Sequence, residues 1–381
     1  MNIKKIQVAI IIALLIVIGH NLYRNENCTW TDRTARLINN HRLATKRFLK
    51  AVRGDDSADT TPKEYRAINP LLRDGKIVNR KQYIKLLDGM SDEQVDDVVS
   101  KFNVKGTEFL SNEAKKDFLW CDPELVRDFI QPVRSMEHPC TEVGFKKDTG
   151  KRVALASFPG SGSTWSRTLL EDATGVFTGA IYCDKKLKGD GFVGEYITTG
   201  NVIAIKSHQH IVNLTNPDRK HATTFDAAIF IIRSVFDAVL SERKRSISNN
   251  HTGGEIKEED YVNNPDWNKY AISSGYRYQH TAERWLQHLR IPAMVVRYED
   301  LLKDVRTQLR RMLDFLDFPY TEERLDCVAS HQVQKFHRKH DHDFDPFTKK
   351  QRKTLLSVMK SLEPLLNRYN TTYKDIYDFS K

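Results

Sequence analysis

The sequence Phe158-Pro159-Gly160-Ser161-Gly162-Ser163-Thr164-Trp165 decides the fold class of this 381-residue chain. It follows an apolar run at residues 153–158 that is typical of a buried β-strand, and it precedes a stretch at residues 166–173 that is typical of a helix. A strand, a turn of small residues and a helix point backbone N–H groups and a helix N-terminus at one anion. The glycines let the backbone approach a ligand closely, and the serine and threonine hydroxyls add donors. The stretch therefore predicts a binding site for a phosphate-like group.

This loop differs at its end from the phosphate-binding loop of ATPases and GTPases. That loop ends in Gly-Lys-Ser/Thr, whereas this one ends in Gly162-Ser163-Thr164, so no lysine reaches a γ-phosphate. The sequence also offers no clear magnesium-binding partner, which disfavours a P-loop kinase. We therefore expect a ligand other than the triphosphate of an ordinary NTPase.

Apolar runs alternate with helical stretches after a polar hinge at residues 146–151. Continuous apolar strands separated by helices favour an α/β fold, with a P-loop-like parallel sheet flanked by helices, over residues 150–381. Ligands of such sheets bind at the carboxyl ends of the strands. The predicted strands are 153–158, 202–206, 227–232 and 293–297, and the predicted helices lie near 164–174, 234–247, 277–290, 300–317 and 349–368.

The N-terminus predicts a membrane anchor. Residues 6–23 are apolar and long enough to cross a thin bilayer, and Lys4 and Lys5 keep residues 1–5 in the cytosol. The result is a single-pass type II protein with its bulk in the lumen of the secretory pathway. A cleaved signal peptide and a secreted product form the alternative.

Residues 24–145 are predicted to form a stem and a helical flanking region. Its helices are predicted at 81–87, 93–99 and 122–130.

The composition restricts the partners of the chain. The formal charge of +10 and the isoelectric point near 9.2 favour anionic partners. Nucleic acid is disfavoured because no zinc-finger spacing, RNP-type motif or sustained arginine-rich tract occurs.

The five cysteines form no CxxC pair, so one or two disulfides are possible but their connectivity is not readable. The oligomeric state is not readable either. Four sequons are consistent with a glycoprotein, and they start at Asn27, Asn213, Asn250 and Asn370.

Polar side chains follow two of the predicted strands. Lys206 and His208 end one strand, where an imidazole can take a proton from a substrate hydroxyl and an ammonium can neutralise a transferring group. Arg233 ends the next strand and Ser241 follows two helical turns later, so both could converge on one phosphate. The alternatives are a histidine on the surface and an exposed Arg233 paired with Asp237.

Together these pieces resemble the sulfotransferase family. The resemblance runs from about residue 153 to residue 339 and consists of Phe-Pro-x-Ser-Gly-Ser-Thr-Trp, Lys-Ser-His, Arg with Ser eight residues later, and Tyr-Glu-Asp at Tyr298-Glu299-Asp300. Its details are most similar to the sulfotransferase domain of WSC-domain-containing sulfotransferases, which also favour Phe-Pro-Gly in the loop. Five scattered cysteines cannot supply the cysteine-rich WSC module, so we expect that module to be absent.

The resemblance implies a donor, 3′-phosphoadenosine 5′-phosphosulfate, and no metal. It implies that His208 deprotonates the acceptor hydroxyl and that Lys206 steadies the sulfuryl oxygens. The residues implied to bind the donor are Gly160, Ser161, Gly162, Ser163, Thr164, Trp165, Arg233, Ser241, Arg338 and Lys339. Four histidines near the last two are irregularly spaced in a polar segment, which favours a basic loop over a metal site, and they are His331, His337, His340 and His342.

Two departures from the family pattern stand out. The widespread form of the loop has lysine where this chain has Gly160, and Lys206 or Arg167 are the candidates to replace that charge. The late Arg-Lys-Gly element is only partly matched by Arg338-Lys339. We expect a sulfotransferase in the Golgi membrane that acts on a glycan or glycoprotein in the lumen. The alternative is a catalytically inactive lumenal protein of the same fold that binds a nucleotide or a glycan.

Overall fold

The structure is a computed structural model, and it describes residues 72–73, 76–77, 80–100, 102–121, 138–208, 224–248, 257–331 and 343–377. All of these lie in one compact unit, Lys63–Lys381. The predicted tail and anchor, most of the predicted stem, the predicted helix at 122–130 and the pair Arg338 and Lys339 fall outside the described residues. Within the described ranges, no helix has the length and apolar character needed to cross a bilayer.

The core of the fold is a five-stranded parallel sheet. Its strands lie in the order β4 (Gly179–Ala180), β5 (Ile205–Ser207), β3 (Val153–Ser157), β6 (Ala227–Ile232) and β7 (Ala293–Arg297). Strands β3 and β6 are fully buried and form nearly continuous apolar runs, as expected for a sheet covered on both faces. The predicted α/β fold with a parallel sheet flanked by helices is thus confirmed. A separate antiparallel pair consists of β1 Leu72–Arg73 and β2 Lys76–Ile77.

Helices flank the parallel sheet, and three further helices precede it in the chain. Among the described residues they are α1 Arg80–Gly89, α2 Asp92–Ser100, α3 Asn112–Cys121, α4 Ser163–Thr174, α5 Lys185–Gly189, α6 Val235–Ser248, α7 Pro265–Glu283, α8 Tyr298–Lys303, α9 Val305–Leu316, α10 Glu322–Ser330 and α11 Lys349–Leu366. A π-helical turn, Arg284–His288, extends α7, and short 3₁₀ turns occur at Thr107–Phe109, Glu258–Asp260 and Asn367–Tyr369.

Two helices differ from the prediction for local reasons. The predicted helix at 300–317 is divided at Asp304, whose side chain caps α9 by accepting the Thr307 N–H at 3.0 Å. The predicted helix at 277–290 begins twelve residues earlier, at Pro265, because the Asn264 side chain caps it and proline suits the first turn. A single capping residue determines where each of these helices begins, and capping residues cannot be recognised from hydrophobic periodicity.

The N-terminal helices α1–α3 share a hydrophobic core with the sheet. Tyr83, Phe118 and Phe230 are buried in one contiguous cluster. Lys188 of α5 donates to the Phe118 carbonyl at 3.1 Å, which joins α3 to the segment after β4. Two disulfides, Cys121–Cys183 and Cys140–Cys327, supply the connectivity that the sequence left open.

Candidate active site

The loop between β3 and α4 has a backbone that only glycine accommodates at two positions. Gly160 and Gly162 have φ angles of +83° and +100°. A Cβ on Gly160 would lie 2.5 Å from the Ala238 carbonyl oxygen, and a Cβ on Gly162 would lie 2.4 Å from the Tyr298 ring. Gly162 also precedes α4 without a side-chain cap, so the first N–H groups of the helix remain for a ligand. The loop between β3 and α4 therefore has a backbone that would let an anion approach closely.

Two buried polar atoms of the loop have no hydrogen-bond partner among the described residues. They are Ser161 Oγ and Trp165 Nε1. Both side chains are buried, and the Trp165 ring packs edge-on against Tyr298 with centroids 5.7 Å apart. Because an unsatisfied buried donor is costly, a ligand or a water molecule that accepts from these atoms would stabilise this part of the protein.

A cavity of about 490 Å³ lies at the carboxyl ends of the strands, next to this loop. It is lined by every sequence-predicted site residue that the structure describes except the fully buried Ser161. Two acidic side chains line it, Asp184 and Glu242, against a larger set of basic ones. The basic side chains are Lys185, Lys186, Lys206, Arg233 and Arg245. The cavity is therefore electropositive and suits an anionic ligand.

Arg233 lines the cavity, and hydrogen bonds to both its backbone and its side chain fix its position. It is 8% exposed, Nη1 donates to the Gly160 carbonyl at 3.0 Å, and the guanidinium lies 4.4 Å from the centre of the Tyr298 ring. Its N–H donates to Tyr278 Oη at 3.0 Å, and Tyr278 Oη–H donates back to its carbonyl at 2.8 Å. Ser241 lies two helical turns along α6, beside the loop glycine. The alternative of an exposed arginine is therefore excluded.

Lys206 is buried at the end of β5. Burial lowers its pKa to about 8, while the carboxylate of Glu195 acts in the opposite direction and Arg167 adds to the lowering. At neutral pH the side chain is therefore mostly protonated. It supplies a cation to the cavity in a setting of low dielectric, where charge–charge interactions are strong.

His208 is oriented by contacts with Ser157 at the end of β3 and with Tyr182, which follows β4. Its Nδ1 lies 2.8 Å from the Ser157 carbonyl oxygen, which can only accept, so Nδ1 carries the proton and Nε2 carries the lone pair of the neutral ring. Its backbone N–H donates to Tyr182 Oη at 2.9 Å, and the two rings stack with centroids 5.6 Å apart. This tautomer is the one that a general base needs.

Arg167 does not replace the charge missing at Gly160. Its side chain is fully buried, forms an ion pair with Glu195 and donates from Nε to Thr178 Oγ1 at 2.7 Å. It does not line the cavity. Of the two candidates, Lys206 lines the cavity, whereas the guanidinium of Arg167 is buried against Glu195 and Thr178.

Several cavity residues were not singled out from the sequence. Tyr182, Lys185, Lys186 and Arg245 have no motif of their own, and only the topology brings them to the sheet edge. Tyr298 belongs to the Tyr-Glu-Asp motif, but the sequence does not predict its ring contacts with Trp165 and Arg233. The neighbouring Glu299 accepts the Ser234 N–H at 2.8 Å, and its burial raises the pKa of the carboxyl. These residues are linked to the site by packing, for which a single sequence gives no signal.

The histidine-rich segment gives no support for a metal within the described ranges. His331 lies close to the sulfurs of Cys140 and Cys327, but these two are joined in a disulfide and are not thiolate ligands. His337, His340 and His342 fall outside the described residues.

Comparisons with known proteins agree with the sequence motifs. Residues 151–353 match the family described as "Sulfotransferase domain". WSCD family member CG9164 of Drosophila melanogaster is 31% identical over 217 residues, which cover 56% of this chain and 66% of the relative. WSCD family member AAEL009094 of Aedes aegypti is 30% identical over 206 residues, which cover 53% and 62%. The chain therefore spans slightly less than two thirds of the length of these relatives.

A plant protein and a solved structure are more distant matches. Cytosolic sulfotransferase 15 of Arabidopsis thaliana is 26% identical over 198 residues, which cover 45% of this chain and 52% of that protein. The structure of mouse sulfotransferase SULT7A1 complexed with PAP is 14% identical, with a TM-score of 0.35, and covers 58% of this chain and 85% of the mouse chain.

Proposed function

This chain belongs to the sulfotransferase family and is related to the WSCD proteins, and we propose that it transfers a sulfuryl group from 3′-phosphoadenosine 5′-phosphosulfate to a glycan hydroxyl. One observation carries the proposal. A single electropositive cavity contains the anion loop, Lys206, the oriented His208 and Arg233. These are the groups that are required to bind a nucleotide with two anionic groups, the 3′-phosphate and the 5′-phosphosulfate, and to deprotonate a hydroxyl.

The loop and Arg233 fit the donor. The N-terminus of α4 and the orphaned Ser161 Oγ suit the oxygens of a 5′-phosphosulfate, and the close backbone at Gly160 and Gly162 lets that group approach. Arg233 and Ser241 would hold a 3′-phosphate, and a nucleotide without that phosphate would leave their donors unpaired. Arg338 and Lys339 are proposed to add to the same phosphate site.

His208 and Lys206 carry the chemistry in this proposal. The acceptor oxygen forms a bond to sulfur while the bond between sulfur and the 5′-phosphate oxygen breaks, and the adenosine bisphosphate leaves. His208 Nε2 takes the acceptor proton, since Nδ1 already donates to Ser157. Lys206 balances the charge on the sulfuryl oxygens and on the leaving phosphate.

We further propose that the protein works in the Golgi lumen, anchored in the membrane through residues 6–23. Two disulfides among the described residues support an oxidising compartment. A lumenal site favours glycans or glycoproteins as acceptors, and the basic residues Lys185 and Lys186 at the cavity favour acidic ones. Protease protection of the intact chain in microsomes tests this topology, and cleavage of the bulk without detergent would contradict it.

A panel of acidic and neutral glycans with ³⁵S-labelled donor tests the function. We expect label on at least one glycan with the wild type and a loss on the order of 100-fold with His208→Ala. Arg233→Ala should weaken binding of 3′,5′-adenosine bisphosphate far more than binding of adenosine 5′-monophosphate. Equal losses for both nucleotides would contradict a 3′-phosphate site at Arg233.

One feature favours a second candidate, a catalytically inactive protein that keeps the nucleotide site. Gly160 stands where the widespread form of the loop has lysine, so one cation near the leaving group is absent. Tight binding of adenosine bisphosphate together with no label transfer to any glycan of the panel would favour this candidate.

A further inference from the structure

Tyr182 makes the contacts that fix His208 from the side of β4. Its hydroxyl accepts the His208 backbone N–H at 2.9 Å, and its ring stacks on the imidazole at an interplanar angle of 28°. Burial raises its pKa to about 12, so the phenol stays neutral. Tyr182 therefore acts on the backbone and the ring of His208 without titrating itself.

The segment that carries Tyr182 leaves the sheet immediately before it. Strand β4 pairs with β5 up to Ala180 opposite Lys206, and the Ile181 N–H still donates to the Lys206 carbonyl at 3.1 Å. The next residue is Tyr182, and the chain then turns into α5, which Asp184 caps. The ladder thus does not by itself determine where the Tyr182 side chain lies.

A disulfide holds the residue that follows. Cys183 is bonded to Cys121 at the end of α3, and it also lines the cavity. The residue after Cys183 is also held, because the Asp184 N–H donates to Glu195 Oε2 at 3.2 Å. The covalent bond therefore anchors the cavity wall one residue away from the tyrosine.

We propose that Tyr182 is a positioning residue for His208 and that the Cys121–Cys183 disulfide keeps it in contact with the imidazole. This inference rests on the proposed function, in which His208 is the base. Without Tyr182 Oη, the His208 N–H loses an acceptor in a mostly buried setting. Without the disulfide, the wall loses its covalent tie to α3 and keeps the hydrogen bond from Lys188 to the Phe118 carbonyl, which lies farther along the chain from Tyr182. In both cases the imidazole samples orientations in which Nε2 does not face the acceptor.

Steady-state kinetics of four variants test the proposal. We expect Tyr182→Phe and the double variant Cys121→Ser/Cys183→Ser to lower kcat on the order of 10-fold, with the donor KM unchanged. Tyr369→Phe is the matched control for the phenol, since that hydroxyl bonds the Leu286 carbonyl away from the cavity. Cys140→Ser/Cys327→Ser is the matched control for the disulfide, and both controls should keep the wild-type kcat. An equal loss of kcat in a control and its partner variant would overturn the proposal.

A second measurement does not depend on turnover. In protein labelled with ¹⁵N-histidine, the His208 signals, assigned by their loss in His208→Ala, should show the Nδ1–H tautomer in the wild type. Tyr182→Phe, which retains the disulfide and is the variant expected to fold, should show averaged tautomers. Unchanged His208 signals would overturn the proposal even in a protein that transfers no sulfate. Absence of transfer by the wild type would instead contradict the proposed function.

Discussion

Gly160 is the residue at which the chain departs most clearly from the family pattern. Its φ of +83° belongs to the left-handed region, and the Ala238 carbonyl occupies the place of a Cβ. The lysine of the widespread loop cannot simply be restored here. The loop lies against α6 at Gly160, and the positive charge of the cavity comes from other positions.

Substitution of Gly160 should therefore be harmful whatever the charge of the new side chain. We expect Gly160→Ala and Gly160→Lys both to lower the free energy of unfolding by about 1–3 kcal/mol and to weaken donor binding. Denaturant unfolding and calorimetry with adenosine bisphosphate measure the two effects. Tighter donor binding by Gly160→Lys than by the wild type would show that the missing charge, not the backbone, is the limiting feature.

Lys206 gives a prediction for pH dependence. Since its pKa is lowered to about 8, affinity for adenosine bisphosphate should fall as the pH rises through about 8. Lys206→Arg, which stays charged, should flatten this fall. A wild-type affinity that is constant from pH 7 to pH 9.5 would contradict the assignment.

The same group affects stability with a defined sign. The unfolded chain restores the ordinary pKa of 10.5, so between pH 8 and 10.5 it binds more protons than the folded protein. The contribution of Lys206 to the free energy of unfolding therefore rises with pH across this window. Comparison of wild type and Lys206→Met by chemical denaturation at pH 7 and 10 checks the sign.

At the scale of elements, the C-terminal segment stabilises the end of β6. Tyr373 Oη lies 2.9 Å from Tyr278 Oη and 3.1 Å from the Arg233 carbonyl oxygen, and all three groups are buried. Tyr377 Oη lies 2.7 Å from Ser234 Oγ. Residues close to the end of the described chain thus hold the backbone of Arg233, which we propose binds the donor.

Removal of these hydroxyls should weaken the 3′-phosphate site selectively. We expect Tyr278→Phe and Tyr373→Phe to reduce affinity for 3′,5′-adenosine bisphosphate several-fold more than affinity for adenosine 5′-monophosphate, at a cost of about 1 kcal/mol per lost hydrogen bond. Calorimetry with both nucleotides measures the difference. Equal effects on the two nucleotides would show a general loss of folding instead.

The elements also show what the sequence could predict. The strands β3, β6 and β7 were readable because buried parallel strands are continuous apolar runs. Strand β4 has only two residues, and α10 has nine residues, of which only Leu325 and Val328 are buried apolar side chains. Hydrophobic periodicity therefore gave no indication of either element. In the site, the loop and the residues at strand ends had motifs, whereas Tyr182 and Arg245 reach the cavity only through tertiary packing.

At the scale of the whole molecule, two disulfides connect segments that are far apart in sequence. Cys140 and Cys327 are separated by 187 residues, and Cys121 and Cys183 by 62. Four cysteines allow several pairings, and only the fold decides among them. The connectivity therefore had to come from the structure.

The longer of these links should contribute to stability without affecting turnover. Loss of the Cys140–Cys327 bond should lower the free energy of unfolding by about 2–5 kcal/mol, because it closes a long loop in the unfolded chain. Denaturant unfolding of Cys140→Ser/Cys327→Ser measures the effect. A loss of kcat at a temperature where the variant is folded would contradict the separation of this disulfide from the active site.

In the proposed mechanism, His208 takes the proton of the acceptor hydroxyl during sulfuryl transfer. The most direct measurement is the single-turnover rate of ³⁵S transfer by wild type and His208→Ala, with adenosine bisphosphate affinity measured on the same samples. This mechanism predicts transfer by the wild type, a rate lowered on the order of 100-fold in the variant, and equal affinities for adenosine bisphosphate. Equal transfer rates for the two proteins would contradict it.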